Sequence, residues 1–391
     1  MASAELCQDD FHFSSMETTE DMTRYVPGGY HPVIIGQHIT NGASSYRIMH
    51  KLGFGSYATV WLAEKSNEPR SFVAMKITTA DSASSSEADW LRRIQNAESS
   101  NIIELIDAFD LQGPNGIHSV LVTDVVAPVL SHPTSARWCK AVARGLAHAV
   151  KQLHASGIVH GDLHLGNVGI GLPQLADQDP DDVMQDLDTP EVTLVLTSDP
   201  RKQTPSLPAY VVAPCNLAAY SRRIPSSAQP QVKIFDFGNA HENGAPPVAF
   251  QCALEACSPE VVFARAVEKV GNPLIDTPSD VWALGAMIFE LVTGSSLCRG
   301  LGMSALPVRM VEMTGTIPSH WQTWWNSLPR SPLDADAWWA QRRNQLVSRC
   351  ADERDGDALL SMLRRVLVLD PAKRPSSAEV CHELWLEETM G

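Results

Sequence analysis

Four short constellations hold residues with the means to do chemistry. The most informative is His160-Gly161-Asp162-Leu163-His164-Leu165-Gly166-Asn167, which follows a helical stretch ending near His154 and the strand-like Gly157-Ile158-Val159. Asp162 is a carboxylate able to accept or orient a hydroxyl proton, and Asn167, five residues on, can hold a divalent cation. In Val232-Lys233-Ile234-Phe235-Asp236-Phe237-Gly238 an apolar strand delivers a second carboxylate, Asp236, to a cation, and Gly238 permits the turn. Leu52-Gly53-Phe54-Gly55-Ser56-Tyr57-Ala58-Thr59-Val60 puts glycines at a turn between strands, where backbone N–H groups can come close to phosphates. Lys76 sits in the apolar run Phe72 to Ile77, and an inward-facing lysine there requires a partner. Glu87, which opens a helix, is the first candidate and Glu98 the alternative. His160 and His164 also invite a zinc reading, but with no third ligand nearby a packed core histidine is the expectation. A cation pair, a glycine cradle, a buried lysine and a positioned carboxylate suit phosphoryl transfer, where positioning and charge neutralisation do most of the catalysis.

The elements that must position these groups follow from periodicity. Residues 46–79 read as three strands in which aromatic and β-branched residues recur, with Gly at the first turn and Asn-Glu-Pro at the second. A helix is expected over Ser86 to Gln95, then strands at Ile102–Phe109 and His118–Val126. Past Pro133 the spacing turns helical: Val142, Leu146, Val150 and Leu153 share a face and Gly157 stops it, and Val281, Leu284, Ile288 and Leu291 repeat the stepping. A last helical block is expected from Asp357 to Leu386. The fold class is therefore α+β, a small β-rich lobe with one helix and a larger, mainly helical lobe. Residues 1–22 read as a disordered tail, 23–127 as the first lobe and 128–391 as the second. Residues 171–230 read as an insert within the second lobe. That insert carries Asp177, Asp179, Asp181, Asp182, Asp186, Asp188 and Glu191, then Pro and Ser, with a strand expected at Val192–Leu196. Solvation is the default role of such a cluster, and capture of a basic substrate is the alternative.

The chain has 391 residues, 44% apolar and 19% charged, with a net charge of −15. That balance argues against direct nucleic-acid binding, which needs a basic face, and suits basic partners. None of the eight cysteines forms a C-x-x-C pair. The start shows no secretory signal, and the longest apolar stretch, around Val281 to Val292, is too short to span a bilayer. Free thiols, no membrane association, a monomer and a cytoplasmic or nuclear location are expected.

In this order the motifs resemble those of eukaryotic protein kinases, from Leu52 to Arg374. Pro27-Gly28-Gly29-Tyr30-His31-Pro32-Val33, Thr59-Val60-Trp61-Leu62 and the Leu207–Val212 segment of the insert are similar to fungal members of the SR-protein-specific kinase branch. The resemblance implies a bilobal fold with ATP in the cleft and a hinge near Thr123, Asp124, Val125 and Val126. It assigns nucleotide contacts to Leu52, Gly53, Phe54, Gly55, Ser56, Tyr57, Ala58, Val60, Ala74, Lys76, Asp124 and Val126. Catalytic roles fall to Asp162, Lys76, Glu87 and His164, and Mg²⁺ to Asn167 and Asp236. Ser258-Pro259-Glu260, Asp280-Val281-Trp282-Ala283-Leu284-Gly285 and the Arg374 motif become scaffold, with Arg374 the ion-pair partner of Glu260 and Asp280 a brace for the catalytic-loop backbone. The implied activity is Ser/Thr phosphorylation with Mg·ATP, on Ser in basic or Arg-Ser-rich proteins.

The sequence also departs from that pattern. Ala58 replaces the third glycine, Gly161 the usual arginine, His164 the usual lysine and Cys257 an arginine. No threonine is evident in Phe250-Gln251-Cys252-Ala253-Leu254-Glu255. Residues Asn239 to Cys257 contain no Ser, Thr or Tyr, so control by phosphorylating this loop is not expected. Two alternatives remain: a catalytically weak ATP-binding scaffold, favoured by His164, and a small-molecule phosphotransferase, favoured by the likeness of His160–Asn167 to that group.

Overall fold

Apolar residues alternating along six strands make the first layer. The strands are β1 (His38–Asn41), β2 (Ser44–Gly55), β3 (Ala58–Lys65), β4 (Ser71–Thr78), β5 (Leu105–Gly113) and β6 (Gly116–Thr123), and one helix, α1 (Glu87–Gln95), accompanies them. They form one antiparallel sheet in the order β1-β2-β3-β4-β6-β5. Its core face carries Tyr46, Ile48, Trp61, Val73, Met75, Val120 and Val122. The computed structural model describes residues 6–13, 18–66, 71–82, 86–95, 101–129, 135–176, 178–187, 189–224, 228–245, 253–329 and 333–387. Asn-Glu-Pro and Glu98 lie outside the described residues.

The chain divides into two units, Met1–Gln95 with Ile103–Ala127 and Gly171–Arg223, and Asn96–Ile102 with Pro128–Ile170 and Ile224–Gly391. Two expectations change here. The segment expected inside the second lobe clusters with the β-rich unit as far as Arg223. Its strands Val192–Leu194 and Tyr210–Val212 pair antiparallel, and neighbouring side chains point to opposite faces. Val212 thus joins the main sheet core, while Val211 joins a second cluster with Phe11, Met22, Tyr25, Tyr30, Val195 and Leu207. That second cluster is also why the described part of the expected tail is packed. The His12 N–H donates to the Leu196 carbonyl at 2.9 Å, and Glu20 is buried against Lys51 at the base of the β2–β3 turn. A polar, aperiodic stretch conceals this, because its few apolar residues find partners far away in sequence. Within the acidic cluster, the Asp179 side chain caps the helix Pro180–Asp186, and Asp186 is bound by Arg223 at 2.5 and 2.6 Å. Asp177 and Asp188 lie outside the described residues.

Two histidines of this unit make its stability depend on pH. The rings of His31 and His118 lie 4.9 Å apart, and both residues are buried. His118 Nδ1 donates to the Thr78 carbonyl at 2.8 Å, which leaves Nε2 without a proton. Neither that Nε2 nor His31 Nδ1 has a hydrogen-bond partner among the described residues. Burial, with His118 adding to it, pushes His31 down to about 4. A group with a depressed folded pKa contributes stability that is full above its unfolded value and lost as pH falls. The window here runs from about 6.5 down to about 4 and is worth roughly 3 kcal/mol. The melting temperature is therefore expected to fall through that window, and the His31→Phe variant to show a shallower fall. Equal slopes in the two proteins would refute the assignment.

The second unit is built on helix α2 (Ala136–Ala155) and the helix Thr277–Thr293. Ser135 caps α2 by accepting the Trp138 N–H at 3.2 Å. Gly145 has a packing reason: a Cβ there would come within 2.7 Å of Val232. The strand Val168–Gly171 pairs antiparallel with Val232–Ile234, and Ile158–Val159 with His241–Glu242. The helical block expected from Asp357 to Leu386 is instead three helices, Glu353–Val366, Ser377–Val380 and Leu384–Glu387. Pro371 and Pro375 interrupt it.

Candidate active site

In the β-rich unit, β4 carries Lys76 opposite Val60 of β3. Its ammonium bonds Glu87 at 2.8 Å, at the first residue of α1. The lysine side chain is 25% exposed and the glutamate 5%, so a desolvated carboxylate holds a cation that still reaches solvent. Gly53 and Gly55 do not have positive φ, and a Cβ at either would meet nothing within 4 Å among the described residues. Neither glycine is required by its own backbone or packing; their effect is to keep one face of the turn clear. Leu52, Phe54, Ser56, Tyr57, Ala58 and Val60 complete the turn and its flanks, and Ala74 lies two residues before Lys76. Asp124 is engaged within its own segment: its carboxylate accepts the Glu104 N–H at 2.8 Å and its N–H donates to the Glu104 carbonyl at 3.3 Å. Val126 follows two residues later.

In the helical unit, one buried carboxylate fixes the loop that begins at His160. Asp280 accepts the backbone N–H groups of His160 at 2.8 Å and Gly161 at 3.1 Å. The same Asp280 carboxylate meets His154 Nε2 at 3.1 Å, and His154 Nδ1 lies 2.9 Å from the Ser377 hydroxyl. Burial would raise Asp280, but His154, His160 and the donated hydrogen bonds hold it below the usual carboxylate range. His160 is a core residue with both ring nitrogens engaged. Nδ1 accepts the Asp162 N–H at 3.3 Å, so Nε2 carries the proton and donates to the Phe235 carbonyl at 3.2 Å. Its ring packs on Phe237, with centroids 4.9 Å apart. That engagement removes it from the zinc reading.

Asp162 is partly buried, accepting the Asn239 amide at 3.3 Å and the Ala253 N–H at 3.4 Å. Burial raises its pKa, His164 and His160 oppose that, and Asp236 adds to it. A raised carboxylate is better suited to take a proton. The Asn167 amide nitrogen donates to the Asp162 carbonyl at 3.0 Å, leaving its amide oxygen as the atom to offer a cation. Asp236 has φ 65° and ψ 73°, a left-handed conformation costly for a side-chain-bearing residue. An amide oxygen and a carboxylate are hard donors of the kind Mg²⁺ takes. The chemistry of Asn167 and Asp236 therefore fits that cation.

His164 folds over the loop: its Nδ1 accepts the Gly166 N–H at 3.1 Å, and a Cβ at 166 would come within 2.6 Å of the ring. With Nδ1 accepting, Nε2 is the donor this ring can present. Sequence reasoning missed Asn239 and the Ala253 N–H, which hold the Asp162 carboxylate where no threonine does. Asn239 directly follows the Asp-Phe-Gly glycine, and that adjacency is the signal that would have pointed to it. A final pair is structural. Glu260 and Arg374 are joined in a bidentate bridge at 2.6 and 2.9 Å. Ser279 also donates to Glu260, and Arg374 donates to the carbonyls of Val368, Pro278 and Leu369.

The chain is similar to proteins of one family over most of its length. The protein kinase domain family model matches residues 46–173 and 224–386. A serine/threonine protein kinase of Aspergillus fumigatus is 24% identical over 397 residues, covering 94% of this chain and 90% of the relative. The serine/threonine-protein kinase SRPK of Physarum polycephalum is 30% identical over 74% of this chain and 68% of its own length. SRSF protein kinase 3 of Homo sapiens is 30% identical over 40% of this chain and 30% of its own.

Proposed function

The chain belongs to the protein kinase family, in its SRPK-like branch; from that premise, as a protein serine/threonine kinase, we propose that it transfers the γ-phosphate of Mg·ATP to serine hydroxyls in basic, Arg-Ser-rich proteins. The observation that carries the catalytic reading is the loop anchored on Asp280, with Asp162 held by Asn239 and Asn167 turned back on it. The substrate preference is supported by the names of the SRPK and SRSF relatives and by the net charge of −15, which attracts basic chains.

Lys76, fixed by Glu87, binds the α- and β-phosphates. The N–H groups of the Gly53–Ala58 turn cradle the phosphate chain, with Leu52, Val60, Ala74, Asp124 and Val126 around the rest of the nucleotide. Asn167 and Asp236 hold Mg²⁺, which when bound neutralises charge on the phosphates. Asp162 orients the serine hydroxyl for in-line attack and takes its proton as the oxygen–phosphorus bond forms and ADP leaves. His164 presents a ring N–H where a lysine would supply a permanent ammonium charge, so it stabilises the transferring phosphate less strongly.

The test is phosphate transfer from Mg·ATP to an Arg-Ser repeat peptide, beside a serine peptide with alanine in place of arginine, using Asp236→Ala as the blank. Transfer to the Arg-Ser peptide that vanishes in the blank is expected, with the neutral peptide a much poorer acceptor. Equal use of the two peptides would overturn the substrate assignment. Transfer to neither, by a protein that still binds ATP, would overturn the activity on this acceptor class.

A further inference from the structure

The tip of the β2–β3 turn is held from behind by the segment that precedes the sheet. The Tyr30 hydroxyl, on a residue only 3% exposed, donates to the Gly55 carbonyl at 2.8 Å. The Arg24 guanidinium donates to the Ser56 carbonyl, pairs with Asp81 at 3.2 Å, and lies 5.2 Å from the centre of the Tyr30 ring. Two successive carbonyls of the turn are thus captured by two side chains that also contact each other.

The segment that carries them is itself tied down. The Gly28 N–H donates to the Asn115 carbonyl at 2.8 Å, and the Asn115 amide returns a bond to the Tyr30 carbonyl at 2.7 Å. The N–H groups of Ala80 and Asp81 donate to Gly29 and Gly28 at 3.1 and 2.6 Å. Upstream, Glu20 pairs with buried Lys51 and accepts the Tyr25 hydroxyl at 2.5 Å. The donors therefore sit on a fixed frame.

In a planar trans peptide the carbonyl and the following N–H point in opposite directions. Holding the carbonyls of Gly55 and Ser56 fixes the N–H groups of Ser56 and Tyr57 so that they face away from Arg24 and Tyr30. We infer that Arg24 and Tyr30 are positioning residues that preset the Ser56 and Tyr57 N–H groups as donors to the nucleotide's phosphates. The cost of orienting those two peptides is met on folding and does not recur on binding. The inference rests on the reading of residues 52–60 as the phosphate-binding turn.

The test uses the full chain and measures dissociation constants for Mg·ATP and for adenosine, by competition against a fluorescent adenine analogue. Tyr30→Phe deletes one oxygen and keeps the ring, and Arg24→Gln removes the guanidinium. Each is expected to weaken ATP binding by about three- to tenfold, the size of one lost hydrogen bond, and to leave adenosine unchanged. Equal weakening of ATP and adenosine would mean general loosening and would overturn the inference, as would no change in either. Gly55→Val separates the brace from the phosphate turn, because a Cβ at residue 55 meets nothing within 4 Å among the described residues. If Gly55→Val loses ATP while Tyr30→Phe and Arg24→Gln do not, the brace is wrong and the phosphate turn stands. If Gly55→Val binds ATP normally, the phosphate turn itself is wrong.

Discussion

Asp162→Asn is expected to lower turnover on a protein substrate by roughly 10²–10⁴-fold and to leave ATP affinity unchanged. The amide is nearly the same size, so the loop keeps its shape: the bonds from Asp280 to His160 and Gly161 use backbone N–H groups that the change does not touch. What is lost is the ability to take a proton, together with one acceptor for the Asn239 amide and the Ala253 N–H. Steady-state rates with bound-nucleotide titrations check this. Full turnover in the variant would remove Asp162 from the mechanism. A matching loss of ATP affinity would mean that the substitution had disturbed the loop instead.

Arg374→Ala carries the largest stability effect, about 3–5 kcal/mol, because it strands the Glu260 carboxylate in the second unit. Glu260 feels burial pushing its pKa up, and the arginine's charge, its two hydrogen bonds and the Ser279 hydroxyl hold it down. The Arg374 side chain is fully buried, and it also satisfies the carbonyls of Val368, Pro278 and Leu369, which lose their donor together. Denaturant unfolding should show the loss, and adding Glu260→Gln to Arg374→Ala should return part of it by removing the stranded charge. A single variant as stable as the parent would show that the pair contributes nothing to the fold.

What the sequence revealed and what it hid differ in the range of the interactions involved. The Asp162–Asn167 loop and the Asp236 turn were legible because their groups are local, carried on strands and helices with clear periodicity. The spacing from Lys76 to Glu87 left an alternative open, and the structure pairs Lys76 with Glu87. The course of residues 6–13 and 18–25, and of the described residues between 171 and 223, was not legible. Phe11, Met22 and Tyr25 are packed by Val195, Leu207 and Val211, nearly two hundred residues away, and no local pattern encodes such a partner. The brace was hidden for a similar reason. Tyr30 stood out only as part of a family-like string, and its hydroxyl acts on Gly55, which is close in space through sheet geometry alone.

The interleaving of the two units bears on the order in which the chain can fold during synthesis. Residues 128–170 belong to the helical unit and leave the ribosome before residues 171–223, which complete the β-rich one. At about 5–20 residues per second, the sheet waits several seconds for Val212 after β6 has emerged. During that interval its face lacks Val212, while Phe11, Met22 and Tyr25 have no Val195, Leu207 or Val211 to pack on. A nascent chain halted near residue 127 therefore presents apolar surface that the finished protein covers, and shielding by chaperones during translation matters most over this stretch.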